Sequence, residues 1–406
     1  MKAPAPGLFQ YDQIVHRNAL KFDDDLCCSV TLSTKNIYVC LTCGKPFSGG
    51  SSTSPLTQHF VEKFHPLAIR MSDTEIVVLP NYDVLPDVPE LQDIRFTAHP
   101  VYTQKTIAFM HEKMKNGGEI IPGALGLETL KPTHAQISVI RFISCIDPLR
   151  DYFLLKDFDV PILKEFSTFF KNFFNPYFYK KQISPSKLFR SLPEIDDPFN
   201  FLSVILNELN NKFGKNNLLS TLSRGLLNIE KYEDAGHWKS SKRKIWILPL
   251  EITDSPLYRS GLEKEKIIPQ TELTELLIRY NGVTITETPI GDGKVERKKM
   301  KMCNAPSYLI ISINRIKKNE FNLEKSNMHV ILPREALNMS EYGINGEYKV
   351  RAIISHEGTP NDGQYLTYIR NKDAGNWIKC GTIDVNETIE DVAFLSQACF
   401  LLMEKI

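Results

Sequence analysis

GALGLETLKPTHAQISVIRFISCIDPLR, residues 123–150, decides how the rest of the chain reads. A glycine-led loop runs into a Pro-Thr pair. An apolar pattern follows, with Ile137, Ile140, Ile143 and Ile146 at helical spacing. This is the form of an enzyme's nucleophile turn, where a reactive side chain stands at the mouth of a helix. The residue at that mouth is His134. Neither cysteine nor serine stands there, so the stretch is an unusual active site or a dismantled one.

Working outward, the later half of the chain changes period. KIWILPLEI (244–252), SYLIISINRI (307–316), HVILP (329–333), YKVRAIISHEG (348–358) and QYLTYIR (364–370) read as strands. Before them, VPILKEFSTFFKNFF (160–174) and DDPFNFLSVILNELNNKFG (196–214) read as helices, the latter opened by Asp residues and closed by Gly214. Helices first and strands later predict an α+β domain. Ahead of it, residues 1–101 form a unit rich in Cys, His, Gly and Ser, with strand-like CSVTL (28–32), NIYVCL (36–41) and EIVVL (75–79). The Pro-rich LPNYDVLPDVPELQDI (79–94) suits an extended connector. Residues 102–118 read as a helical linker and 119–406 as the second domain.

Composition narrows the function classes. With 49 Lys and Arg against 48 Asp and Glu, the net charge of +1 sets up no global field toward nucleic acid or an anionic membrane. No apolar run reaches the roughly 18 residues of a membrane span, and MKAPAPGLFQYDQ lacks the apolar core of a secretory signal. Of eight cysteines, only Cys40 and Cys43 have ligand spacing. The remaining scattered thiols suit a reducing compartment.

Cys40-Leu41-Thr42-Cys43-Gly44 is a CxxC knuckle, followed by His59 after 15 residues and His65 after five more. Two thiolates and two imidazoles complete a tetrahedral zinc shell, so the site is expected to be structural, with no open position for chemistry.

On these residues a family resemblance can be stated. Residues 28–69 resemble the ubiquitin-protease-type zinc finger, and the second domain resembles the ubiquitin-specific protease fold, papain-like with thumb, palm and fingers. YVCLTCGKPFSG, ALGLETL, EKEKIIPQ, RYNGVT, SINRIKKNEF and SHEGTPNDGQYLTYIRNKDAGNW together resemble the spliceosomal members of that family. The resemblance implies one structural zinc on Cys40, Cys43, His59 and His65. A second set would fall on Asp25, Cys28, Ser48 and Pro55, of which only Cys28 suits zinc. Fingers that capture a ubiquitin tail use an arginine where this chain has Gly50, which argues against that capture.

The resemblance also supplies a catalytic test. A cysteine protease needs a thiolate, a histidine base, an orienting carboxylate or amide, and oxyanion donors. Against the cysteine box GLxNLGNTCYMNSxLQ, the nucleophile position is His134 and the oxyanion asparagine is Thr129. Against GHYxAY the base is Gln364, and against WxxFDD the orienter is Gly381. Glutamine takes no proton near neutral pH. Cys145, eleven residues beyond His134, lies roughly 16 Å along the helix, too far to share a site, and Cys380 and His356 read as structural. The chain is therefore expected to be a pseudo-protease.

The family's finger cysteines are missing between Leu218 and Met300, so KYEDAGHWKSSKRK (231–244) reads as a shortened or irregular substitute. Its Lys239, Lys242, Arg243 and Lys244 offer cations for RNA phosphate, but a solvated charged loop is the favoured reading. The same holds for RKKMKM (297–302), most simply the exposed arm of a hairpin. RNA contact is expected to be indirect or minor, because neither run is interleaved with aromatics. The resemblance implies a nuclear, non-catalytic splicing factor that binds proteins of the U4/U6.U5 tri-snRNP. A pseudo-protease that reads ubiquitin is the second reading.

Overall fold

The computed structural model describes residues 11–128, 134–232, 237–252, 269–291, 294–318 and 323–406. Thr129 and most of EKEKIIPQ lie outside the described residues. The chain forms two compact units, neither contiguous in sequence: 1–130 with 151–192, and 131–150 with 193–406.

The first unit is built on a five-stranded antiparallel sheet in the order Pro46–Ser48, Ile37–Cys40, Leu67–Arg70, Ile76–Val78, Asp83–Val84. Its three inner strands read as nearly unbroken apolar runs because both of their faces are covered. Val39, Leu67, Ile69, Ile76 and Val78 enter one core; Tyr38, Cys40, Ala68 and Val77 enter the other. Two expectations fail here. CSVTL is a turn, with Leu32 at φ 57°, because Cys28 accepts the Leu32 amide instead of pairing in a ladder. The Pro-rich 79–94 stretch is not a free connector, since Leu85, Leu91 and Ile94 are buried in the finger core. The helix predicted over 102–118 spans Gln104–Asn116, with Thr103 capping it through the Thr106 amide. The helix Pro161–Phe173 buries Phe166, Phe169, Phe170 and Phe173 along one stripe.

The second unit centres on a sheet that runs Ile247–Glu251, Tyr308–Asn314, Ala398–Lys405, Glu347–Gly358, Gly363–Arg370, Trp377–Cys380, Val385–Thr388. Only the first pair is parallel. The central strand Ala398–Lys405 escaped the sequence reading: ACFLLM does not alternate, because both of its faces are buried. The helix His134–Ser144 is buried on every side, not only along its isoleucine stripe. Gln136 is satisfied there by donating to the carbonyls of Pro193 and Ile195 at 3.2 and 3.3 Å. The helix Pro198–Phe213 is capped by Asp197 and ends at Gly214, as its sequence predicts.

A second sheet of four strands runs Thr286–Gly291, Lys294–Asn304, Gly225–Tyr232, Trp238–Ile245. It corrects the reading of 231–244 as irregular. Trp238–Ile245 pairs antiparallel with Gly225–Tyr232 along its whole length. The strand was illegible because WKSSKRKI has no apolar alternation, and only its partner strands carry core residues. The 297–302 run does form a hairpin arm, with Thr286–Gly291 beside it.

A buried charge cluster ties this unit together. The Asp147 carboxylate meets Arg150 at 3.0 Å, Arg351 at 3.1 Å and Lys372 at 3.2 Å. Lys372 continues to Glu404 at 2.7 Å, which accepts the Tyr308 hydroxyl at 2.9 Å.

Candidate functional site

The metal centre forms where three short elements meet. Cys40 ends a strand, and the knuckle then turns through Gly44 at φ +71°. A Cβ at Gly44 would lie 2.0 Å from the Ala19 carbonyl oxygen, so the turn admits only glycine. The helix Pro55–Lys63, capped by Ser54, carries His59, and Phe64 in the left-handed region ends it so that His65 returns to the knuckle. Cys40 Sγ lies 3.5 Å from His65 Nδ1, Cys43 Sγ 3.4 Å from His59 Nε2, and the two ring nitrogens are 3.1 Å apart.

All four ligand atoms fall within 4.8 Å of one another. A tetrahedral zinc with bonds of about 2.3 Å to sulfur and 2.0–2.1 Å to nitrogen separates its ligand atoms by roughly 3.3–3.8 Å. The arrangement fits zinc. Burial lowers both histidine pKa values, with His65 adding to the effect at His59, which favours the neutral imidazoles a metal takes. This is the only such cluster among the described residues. At the second set, Cys28 is buried while Asp25 is exposed and paired with Arg190 at 2.7 Å. Gly50 stands with open space around it.

The second unit holds a cleft of about 860 Å³, and of the positions matched to catalytic residues His134 lines it, whereas Gln364 and Gly381 do not. His134 opens its helix half-buried and lines the cleft. Its Nδ1 lies 3.0 Å from the Thr382 hydroxyl, so the ring at the nucleophile seat is tied to the residue after Gly381. Gly381 itself contributes only its amide, which donates to the Asp384 carbonyl at 2.8 Å. Gln364 is exposed at the start of its strand, opposite Glu357 in the ladder. Thr129 lies outside the described residues.

His356 is 3 % exposed and packs at a tilt against Tyr365, with centroids 4.7 Å apart. A Cβ on Gly363 would come within 2.4 Å of its Nε2. Burial, then Lys325, lowers the His356 pKa, which suits a packed neutral ring.

Neither Cys145 nor Cys380 is a ready nucleophile. Burial pushes Cys145 up to about 12 and raises Cys380 against the opposing pull of Arg141, which favours their protonated forms. One cleft thiol, Cys399, was missed from sequence because it sits in an apolar run; burial pushes it up to about 11. Arg315 was missed too. Its buried guanidinium donates to the carbonyls of Ala398 and Met328, each at 2.6 Å, and so shapes the cleft wall.

Comparison with known proteins agrees with both parts of the chain. Residues 27–87 match the Zn-finger in ubiquitin-hydrolases and other protein, and residues 125–403 match ubiquitin carboxyl-terminal hydrolase. The human protein "Ubiquitin carboxyl-terminal hydrolase 39" is 27% identical over 96% of this chain and 78% of its own length. "Pre-mRNA-splicing factor SAD1" of Saccharomyces cerevisiae is 24% identical over 100% of this chain and 95% of its own. The crystal structure of an essential yeast splicing factor superposes with a TM-score of 0.75 at 22% identity, over 98% of this chain and 100% of that one. A zinc-finger domain followed by a hydrolase-fold domain of mixed helix and sheet, with a family match covering more than half of its length, places this chain in the ubiquitin carboxyl-terminal hydrolase family.

Proposed function

We propose that this chain is a nuclear pre-mRNA splicing factor: a non-catalytic, protein-binding scaffold for assembly or maintenance of the U4/U6.U5 tri-snRNP. One observation carries the non-catalytic part. The nucleophile seat holds His134, hydrogen-bonded to Thr382, while Gln364 and Gly381 stand where a base and its orienter would be. A fold does not fix a function, and without a thiolate and base the hydrolase fold offers a concave surface that holds a partner. The splicing part is supported by the relatives, whose names include a pre-mRNA-splicing factor.

In linear terms we assign 1–101 to the finger, 102–118 to a helical linker and 119–406 to the inactive protease-like domain. This division follows motifs and crosses the compact units. One zinc is held by Cys40, Cys43, His59 and His65, and the partners are tri-snRNP proteins.

Affinity purification of the tagged chain from nuclear extract tests the reading. U4, U5 and U6 RNAs are expected to co-isolate; their absence refutes it. A ubiquitin probe with a C-terminal electrophile is expected to form no covalent adduct, read by mass spectrometry. Turnover of a ubiquitin chain refutes the non-catalytic assignment, and tight binding without cleavage supports a ubiquitin reader instead.

A further inference from the structure

The four-stranded sheet separates the basic runs by face in a way their sequences conceal. Pairing of Lys294–Asn304 and Trp238–Ile245 with Gly225–Tyr232 places directly opposed residues on one side. Leu227, Met300 and Met302 bury one face in the core. The other face carries Lys242 and Lys244 from one flanking strand, and Arg297, Lys299 and Lys301 from the other. Lys239 and Arg243, by the same register, belong to the core-side face.

Aromatics absent from either run are supplied by pairing. Tyr232 and Trp238 lie opposite each other with ring centroids 5.4 Å apart, edge to face, and the Lys299 ammonium sits 4.5 Å from the Trp238 ring. Tyr232 is 41 % exposed. Five cations meet two carboxylates here, Glu230 and Glu287, and Glu287 is engaged by Arg297 at 2.8 Å. Among the described residues, Lys242, Lys244, Lys299 and Lys301 have no carboxylate in ion-pair reach. A chain with net charge +1 has thus gathered four lysines without a carboxylate partner around an aromatic pair. The face continues past Leu226 and Lys244 into a polar pocket of about 650 Å³, where Asn210, Asn211, Asn304 and Arg224 supply hydrogen-bonding groups.

We propose that this face binds single-stranded RNA. Lysines spaced along two strands suit a phosphate backbone, while the exposed ring of Tyr232 and the half-buried ring of Trp238 suit unpaired bases. An acidic peptide would use the lysines and leave the rings without a role. A duplex would hide its bases from the rings. The choice of RNA over DNA rests on the splicing function proposed above and on the hydrogen-bonding pocket, which has partners for 2′-hydroxyls.

Fluorescence anisotropy of a labelled single-stranded RNA of about twelve nucleotides tests this on the full zinc-loaded chain. Binding is expected to weaken with salt, with a log–log slope near −2 to −3 for three to four phosphate contacts. Trp238→Ala is expected to weaken it by about 5- to 100-fold. The double variant Lys242→Glu/Lys244→Glu should weaken it and flatten the salt slope, whereas Lys239→Glu/Arg243→Glu, equal in charge on the opposite face, should change it little. Circular-dichroism melting confirms that each variant is folded, and Trp238→Phe, expected to retain binding, guards against a packing effect. Equal loss from both charge pairs, or no effect of Trp238→Ala in a folded protein, overturns the proposal. So does equal competition by polyglutamate or by duplex RNA; equal binding of single-stranded DNA overturns the RNA assignment. Co-isolation of the small nuclear RNAs with the Lys242→Glu/Lys244→Glu variant would leave the splicing reading standing even if this inference failed.

Discussion

Replacing Cys40 with serine is expected to unfold the finger. Cys40 is 1 % exposed at the end of a central strand, and its sulfur is one of four converging ligand atoms. A structural zinc contributes about 10–16 kcal/mol of apparent binding energy near pH 7 in isolated fingers, and that energy is folding energy. It exceeds what a sheet of strands only two to four residues long would keep without the metal. Serine lacks the soft thiolate donor and leaves a polar oxygen beside Phe47 and Leu56. Metal analysis of the wild-type chain should give about one zinc per chain, and little in the variant. Limited proteolysis should then cleave within residues 27–87. Strong chelation of the wild type should have the same effect. A Cys40→Ser protein with no zinc and an intact, protease-resistant finger would falsify the assignment. Cys28→Ser should leave the zinc content unchanged, because Cys28 stands outside the cluster.

The second large effect is expected at Asp147. Removing it by Asp147→Ala leaves Arg351, only 4 % exposed, and Arg150, 1 % exposed, without their shared carboxylate. Breaking a buried ion pair from one side costs about 3–5 kcal/mol, chiefly through the uncompensated charge. For a unit of this size, that lowers the melting temperature by roughly 6–20 °C. A melting temperature within a degree of wild type would remove the cluster from the stability of the unit.

The same group sets a pH dependence. Burial alone would raise the Asp147 pKa, but Arg351, Arg150 and Lys372 outweigh it and bring it from 3.8 to about 2. A lowered folded-state pKa contributes stability above the unfolded value and loses it as pH falls through the folded value. The contribution, about 2 kcal/mol, is present above pH 4 and disappears between about pH 4 and pH 2. Chemical denaturation across that window should show a slope in the wild type that shrinks in Asp147→Asn.

The two basic runs show where sequence reading stops. KSSKRK and RKKMKM carry their charges on both sides of a strand, and a linear window cannot say which side is covered. Antiparallel pairing sorts them, placing Lys242 and Lys299 with Trp238 while turning Lys239 and Arg243 the other way. The central strand Ala398–Lys405 was missed for a related reason. When both faces are buried, alternation disappears, and an apolar run reads equally as helix or strand. The turn at Cys28 was misread because β-branched residues raise strand propensity, which tertiary hydrogen bonding overrides.

Local chemistry was legible in the sequence by itself. The ligand spacing of Cys40, Cys43, His59 and His65 depends on covalent distance, and a knuckle, a capped helix and a turn are short-range structures. Residue identity is likewise fixed by the chain: His134, Gln364 and Gly381, which we propose stand at the nucleophile, base and orienter positions, carry their chemical capacities into any fold. Tertiary structure alone decided what those side chains meet. The hydrogen bond between His134 and Thr382 spans 248 residues, and the contact of Asp147 with Arg351 spans 204. Such pairings follow from the packing of a buried helix against a sheet, a free energy distributed over the whole unit. The sequence placed a histidine at the mouth of this helix, and the fold set Thr382 beside its ring.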